Sequence, residues 1–462
     1  LTWNNIYSPT TDKELVASFM VSDSIPSDTK ALLLHGLGVL DFEKELKAIT
    51  ELKQLEYLSI MPSPSDNRFM PPGGYGQIDL QQYESNLEHL SSWISSLDNL
   101  KTIHIRTPSS EISQAIINCS QLKALYIERG EEFTIDSVKG IKMKNRRILP
   151  KLELLRIVDV PFELLPNEFS NLKIKTLILI RTNGVPDFTY KLKKLKKLHI
   201  GDNSIEAIDH KITKLKGLEE LSIVSVKIPS FPEEMVQLKK LRWLSLNWVE
   251  NDTVPQFLLS RMNLSTLFLD SPYSTNFNVE YPFKHLEYLY ISEIQNIAVD
   301  MSMLKNLRTI VVNNVGHVKF GRAGKSVKRL CHFQIFSEDP REFTVVENWR
   351  SMFDNVKSFK SISMYRVKLE DKKSNKESIF LNTSEALIDT KLFKSNVLEG
   401  NFKKLTVVEC YEQDTHIYLT ENQKEIVSEK QKEFEYCKYH YDQDLIYRKK
   451  FPVINLSNGY AK

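Results

Sequence analysis

The chain has 462 residues, 41% of them hydrophobic and 26% charged. Those are the proportions of a folded water-soluble chain, too long for a single compact core. The formal net charge of +3 is too close to balance to imply a nucleic-acid partner. No stretch reaches the roughly 18 apolar residues of a membrane span. The four cysteines, Cys119, Cys331, Cys410 and Cys437, are spaced neither as a disulfide framework nor as a zinc site.

Residues 1–50 read as an N-terminal cap or first repeat, with a degenerate strand near Leu32 and Leu34 and a helix near Phe42–Thr50. A periodic pattern then begins. The triplet Leu55/Leu58/Ile60 recurs as Leu100/Ile103/Ile105, Leu122/Leu125/Ile127, Leu152/Leu155/Ile157, Ile174/Leu177/Leu179 and Leu195/Leu198/Ile200. It continues through Leu218/Leu221/Ile223, Leu241/Leu244/Leu246, Leu264/Leu267/Leu269, Leu286/Leu289/Ile291, Leu307/Ile310/Val312 and Leu330/Phe333/Ile335. Two segments interrupt the period. Residues 62–80 are rich in Pro and Gly, an inserted loop, and 129–148 are charged, with Lys142, Lys144, Arg146 and Arg147. Between them, Leu87, Leu90, Trp93, Ile94 and Leu97 fall at helical intervals on what should be the back of the fold. After about residue 337 the pattern weakens. Phe359/Ile362/Met364 and Phe402/Leu405/Val407 suggest further strands, and 337–462 reads as irregular late repeats with a C-terminal cap or a small extra domain.

Within each triplet the last two apolar residues are two apart, so they share one face of a strand while the residues between them face the other way. A second conserved spacing supports the repeat from behind: Leu165-Pro166 with Phe169 and Leu172, Phe231-Pro232 with Met235 and Leu238, and Val254-Pro255 with Leu258. One such unit cannot bury its apolar face alone, whereas stacked copies bury a continuous core.

These residues resemble the leucine-rich-repeat family, in its subclass reading L-P-x-x-(apolar)-x-x-L-x-x-L-x-x-L-x-L with 21–23-residue repeats. The resemblance implies an α/β leucine-rich-repeat solenoid, with a curved parallel β-sheet on the concave face and short helices or extended turns on the convex face. Residues 51–336 carry it. The family usually places Asn or Cys eight residues after the first Leu, where the side chain satisfies the turn backbone. Here Asn203 fits, but the same place holds Val160, Val226, Val249, Ile294 and Val315, so the asparagine ladder should be mostly absent.

In such a fold the residues between the strand leucines form the concave surface. The aromatic and histidine residues placed there are Tyr57, Tyr126, His199, Trp243, Phe268, Tyr288 and Tyr290, with Trp248 just past its strand. Adjacent strands are about 4.8 Å apart, so Trp243, Trp248, Phe268, Tyr288 and Tyr290 should cluster. Clustered aromatic side chains are what binding hot spots are made of, although they can equally pack against one another. A lysine column, Lys193, Lys216, Lys239, Lys284, Lys305 and Lys328, precedes the triplets and should stack as a basic rim, either a solvated turn or a surface for an anionic partner.

Catalytic signals are poor. Cys437 and His440 lack a second pair at metal spacing. Gly321-Arg-Ala-Gly324-Lys-Ser326 has two residues between its glycines where a phosphate loop has four. The sequence therefore predicts a non-catalytic protein–protein interaction module, with no cofactor and no metal, binding a protein or peptide on its concave face. A substrate-recognition subunit of an enzyme complex and a structural subunit of a cell-surface assembly are the alternatives. The chain starts at Leu1 rather than Met, which leaves both cytoplasmic and secreted or cell-surface settings open, and the oligomeric state is not readable.

Overall fold

The computed structural model describes residues 15–18, 27–34, 49–60, 93–106, 116–129, 149–201, 208–224, 231–247, 256–271, 276–321, 330–337, 344–347, 361–370, 379–381 and 408–409, with single or few residues omitted inside some of these ranges. The insertion at 62–80, the insertion at 129–148 apart from Arg129, residues 42–48, Trp248, Lys328, Cys410 and the Cys437–His440 pair lie outside the described residues. Two compact units are present, one holding Leu1–Ile205 and Lys211–Leu218 and the other Glu219–Ile454.

In the first unit, β1 (Leu15–Ser18), β2 (Ala31–Leu34), β3 (Tyr57–Ile60), β4 (Thr102–Arg106), β5 (Ala124–Glu128), β6 (Leu154–Val158), β7 (Thr176–Ile180) and β8 (Lys197–Gly201) follow one another in a parallel sheet. The register is that of the sequence repeat. Leu58, Ile103, Leu125, Leu155, Leu177 and Leu198 lie side by side in successive strands and are buried. Behind the sheet the chain returns through short 3-10 turns at Asn167–Asn171 and Asp187–Lys191, the second following Pro186. Proline fits there because the first residues of a helical turn have no intrahelical acceptor to lose. Phe169 and Phe188 from successive turns are fully enclosed and meet edge to face with ring centroids 5.4 Å apart.

The second unit repeats the plan. Its main sheet runs through β9 (Glu220–Val224), β10 (Trp243–Asn247), β11 (Thr266–Asp270), β13 (Tyr288–Ser292), β15 (Thr309–Asn313), β17 (His332–Phe336), β19 (Ser361–Tyr365) and β22 (Val408–Glu409), all parallel. Its first repeats return through a 3-10 turn at Glu233–Gln237 and the short helix α1 (Gln256–Arg261). From there the back of the repeat changes. Strands β12 (Asn276–Val279), β14 (Asn296–Val299), β16 (His317–Phe320), β18 (Thr344–Glu347) and β20 (Val367–Glu370) form a second parallel sheet, closed by antiparallel β21 (Ile379–Leu381). The alternation of Phe277 with Val279, Ile297 with Val299 and Val318 with Phe320 explains the switch. Each pair is buried on one face, and the period is two rather than that of a helical turn. The sequence reading anticipated helices or extended turns on this side, without a second hydrogen-bonded sheet.

The expected loss of the asparagine ladder has a structural counterpart. Val160, Ile294 and Val315 occupy its place as buried apolar residues. The residue just past a strand instead turns the chain at positive φ in four repeats: Asp159 (60°), Arg181 (50°), Glu293 (60°) and Asn314 (47°). Their amides continue the strand ladder by one step, Asp159 donating to the Ile180 carbonyl and Glu293 to that of Asn313. Their side chains pair repeat to repeat. The Arg181 guanidinium grips both Asp159 oxygens at 2.6 and 2.7 Å, and Asn314 Nδ2 donates to Glu293 Oε1 at 2.6 Å. A second set of amides, Asn99, Asn263 and Asn306, donates to the carbonyls of Lys53, Lys239 and Lys284 in the preceding repeats. The turn polar groups are thus satisfied by residues other than those in the family's usual place.

Candidate functional site

The face of each main sheet opposite its leucines carries three columns of side chains, at the first, third and fifth strand positions. In the first unit the third position runs Ser59, His104, Tyr126, Arg156, Ile178 and His199, and the fifth runs Arg106, Glu128, Val158, Ile180 and Gly201. Glu128 is the centre of a charge network. Arg106 Nη2 lies 2.9 Å from Glu128 Oε1, His104 Nε2 3.3 Å from Oε2, and Arg156 Nη1 3.8 Å from the same oxygen. Burial opposes the charge on Glu128, but the hydrogen bond from His104 and the charge of Arg106 outweigh it and pull its pKa down to about 2. Ser59 Oγ lies 3.4 Å from His104 Nδ1. Serine, histidine and glutamate in that order resemble a nucleophile–base–acid relay. However, the Ser59–His104 spacing is longer than a base–nucleophile contact, Ser59 is 2% exposed, and Glu128 is held by Arg106. We read the group as a charge network that joins four strands.

Further along the same face, Val158, Ile178 and Ile180 form a buried apolar patch. His199 beside them is also buried. That burial, with the charge of Arg156, depresses its pKa to about 3, so its ring is neutral at physiological pH. Gly201 makes room for it, because a Cβ there would stand 3.3 Å from His199 Nε2. Tyr126 is buried and stacks edge-on with His104 at 5.8 Å. Tyr57 is half-buried; burial pushes its hydroxyl pKa up, opposed by its bond with Ser59 and by the charge of Arg156.

The second unit has an aromatic face. The third position runs Ser222, Ser245, Phe268, Tyr290 and Val311, and the first position holds Trp243, Thr266 and Tyr288. Phe268 is the hub. Its ring centroid is 5.8 Å from Trp243, 5.1 Å from Tyr288 and 5.4 Å from Tyr290. Four of the five residues expected to cluster therefore do so, Trp248 lying outside the described residues, and the four are not equally accessible. Trp243 is 3% exposed and Tyr288 7%, while Phe268 and Tyr290 are half-buried. The reason is spacing: rings on strands about 4.8 Å apart cover one another's faces. The fifth position, next to the rings, holds Asn247, Asp270, Ser292 and Asn313. Burial and the nearby charge of Glu293 push the Asp270 carboxyl up to about 6.

Of the residues nominated from sequence, Phe268, Tyr290, Trp243 and Tyr288 come together, and Tyr57, Tyr126 and His199 lie on the first unit's face. Lys193, Lys216, Lys239, Lys284 and Lys305 are exposed in the turns that precede the strands. The reading missed Arg106, Glu128, Arg156, Asp270 and Glu293. The signal that finds them is the fifth strand position of each repeat, which puts Arg106 beside Glu128 and Asn247 beside Asp270. Among the described residues, no group of three or more His, Cys, Asp or Glu is arranged to hold a metal, and no helix is long and apolar enough to cross a membrane.

A family model described as a leucine-rich repeat region matches residues 108–373, more than half of the chain. The chain belongs to the leucine-rich-repeat family. The fold of this leucine-rich-repeat protein is similar to several solved structures. A leucine-rich-repeat protein of Leptospira interrogans is 18% identical, with 74% of this chain and 86% of that one covered and a TM-score of 0.45. An internalin from Listeria monocytogenes is 14% identical, with coverage of 67% and 81% and a TM-score of 0.38. The Toll–Spatzle complex of Drosophila is 13% identical, with coverage of 83% and 50% and a TM-score of 0.51. No curated protein matches the chain.

Proposed function

We propose that this leucine-rich-repeat protein is a non-catalytic recognition module that binds a protein or peptide on the aromatic face of its second unit. The observation that carries the reading is the four-ring cluster around Phe268, with centroid spacings of 5.1 to 5.8 Å. In a sheet face whose neighbouring positions are mostly polar, among them Ser222, Ser245, Asn247, Thr266 and Asp270, these rings concentrate apolar area that water solvates poorly. Phe268 and Tyr290 are the anchors a partner would reach, and Trp243 and Tyr288 are the packing that holds them rigid. Rigid aromatic anchors lose little conformational entropy on binding, which makes them effective hot spots. The structure of Toll with Spatzle is compatible with a partner-binding role for this fold.

The test is capture of interacting proteins by the full chain and by a Phe268→Ala, Tyr290→Ala double variant, with circular dichroism and thermal melting as controls on folding. The expected result is a partner retained by the parent and lost, by about 2 kcal/mol or more, from the folded variant. Equal capture by both would remove the face from consideration.

A further inference from the structure

We propose that Phe268, Tyr290 and Asp270 form a subsite for an arginine side chain of the protein partner. The inference rests on the docking face just described and adds the chemistry of what it takes.

The first observation is placement. Phe268 and Asp270 are two residues apart in β11, so their side chains leave the same face about 7 Å apart. Tyr290 stands directly opposite Phe268 in β13, with its ring tilted 32° and centred 5.4 Å away. Ring faces and a carboxylate therefore border one patch of surface. Phe268 and Tyr290 are the two members of the ring cluster that keep partial exposure.

The second observation is unmatched charge. Among the described residues, no lysine, arginine or histidine forms an ion pair with Asp270 or Glu293. Asp270 Oδ1 is buried without a hydrogen-bond partner, and Asn313 Oδ1, in the same column two strands on, lacks one too. Among the described residues, the side chain that donates to Glu293 is the neutral Asn314 amide. The groups beside Asp270 in the ladder, Asn247 from β10 and Ser292 from β13, carry no charge. Two open acceptors and a surplus of negative charge call for a cationic donor. The ring faces call for one that can stack. A guanidinium is planar, carries five N–H donors and is attracted to an aromatic face within about 6 Å of its centroid. An ammonium offers no plane to stack.

The raised pKa of Asp270 fits this assignment, because a guanidinium would relieve the burial and the Glu293 repulsion that cause it. Binding would therefore release a proton near pH 6 and weaken in acid. Glu293, in the turn after β13, is the charged group acting on Asp270; Asn247, on the β10 side, is neutral.

The experiment uses the full chain and saturation-transfer NMR with acetyl-Gly-Arg-Gly-amide, alongside the same peptide with citrulline or lysine in place of arginine. The arginine peptide should bind about tenfold more tightly than the citrulline peptide at pH 7. It should lose most of that advantage at pH 5, and it should bind Asp270→Asn protein no better than citrulline does. Tyr290→Leu, which keeps the carboxylate, should reduce binding by about threefold. Equal binding of the lysine or citrulline peptide, or undiminished binding by Asp270→Asn, overturns the assignment. A protein partner that needs Phe268 and Tyr290 but tolerates Asp270→Asn would leave the docking face standing and remove only the arginine. A partner indifferent to all three would remove both.

Discussion

Glu128 and Asp270 occupy the same place in the repeat, the fifth residue of their strands on the face away from the leucines, and the structure drives them in opposite directions. Glu128 is pulled down to about 2 and Asp270 pushed up to about 6. Burial raises both. What differs is the company each keeps: His104 hydrogen-bonds Glu128, Glu293 repels Asp270, and the residue beside each in the preceding strand is not the same. In the first unit it is Arg106, whose guanidinium reaches the carboxylate at 2.9 Å; in the second it is Asn247, which is neutral and accepts from Ser245. A few neighbouring side chains, His104 and Arg106 on one side and Asn247 and Glu293 on the other, therefore separate a charge network made within the chain from a face whose negative charge is left for something else to neutralise. The first is an element of architecture, and the second has the makings of a contact.

That contrast predicts effects of opposite sign. Glu128→Gln removes the anion from between Arg106, His104 and Arg156, and should destabilise the protein at pH 7 by about 2–3 kcal/mol in urea unfolding. Because the folded pKa of Glu128 lies below its unfolded value, its contribution is complete above about pH 4.5 and is lost as pH falls towards about 2. The parent and variant unfolding curves should accordingly converge in acid. A constant gap from pH 7 to pH 2 would mean that shape rather than charge was lost.

Asp270→Asn should do the reverse, stabilising by about 1–2 kcal/mol at pH 7. Here the folded pKa lies above the unfolded one. The parent is at its best when Asp270 is protonated, below about pH 4, and loses that stability as pH rises through about 6. The variant resembles the protonated form at every pH, so its advantage should vanish by pH 4 in thermal melts. A destabilising substitution at neutral pH would show that Asp270 already has a cationic partner.

Much of the architecture was legible from the amino-acid pattern because Leu-x-x-Leu-x-Leu ties identity to burial: Leu244 and Leu246 could face only inward. The back of the repeat was less so. Proline-led segments such as Pro232 to Leu238 announce a tight turn, but Phe277-Asn-Val279 announces a strand only when its counterparts at Ile297 and Val318 are aligned with it. The aromatic cluster was legible as a set of positions and not as a set of exposures, since Trp243 and Tyr288 are covered by rings from neighbouring strands. The charge logic was hidden for a different reason. Whether a carboxylate at the fifth position is neutralised depends on a residue about 22 positions away, such as Arg106 for Glu128.

The sharpest probe of the comparison moves that residue. Asn247→Arg gives Asp270 the neighbour that Arg106 is to Glu128, in the same register of the preceding strand. Its effect on stability should be the smallest of the three, within about 1 kcal/mol, because what the new pair gains is offset by ordering and partly desolvating the introduced guanidinium. Its effect on chemistry should be the most specific. The Asp270 titration, followed by carboxyl-selective NMR, should fall from about 6 into the ordinary carboxylate range or below. The arginine peptide should then lose its preference over citrulline, since the acceptor it needs is occupied from within the chain. If the titration falls while the preference remains, the carboxylate is not what the arginine side chain contacts, and the aromatic rings alone would have to account for binding.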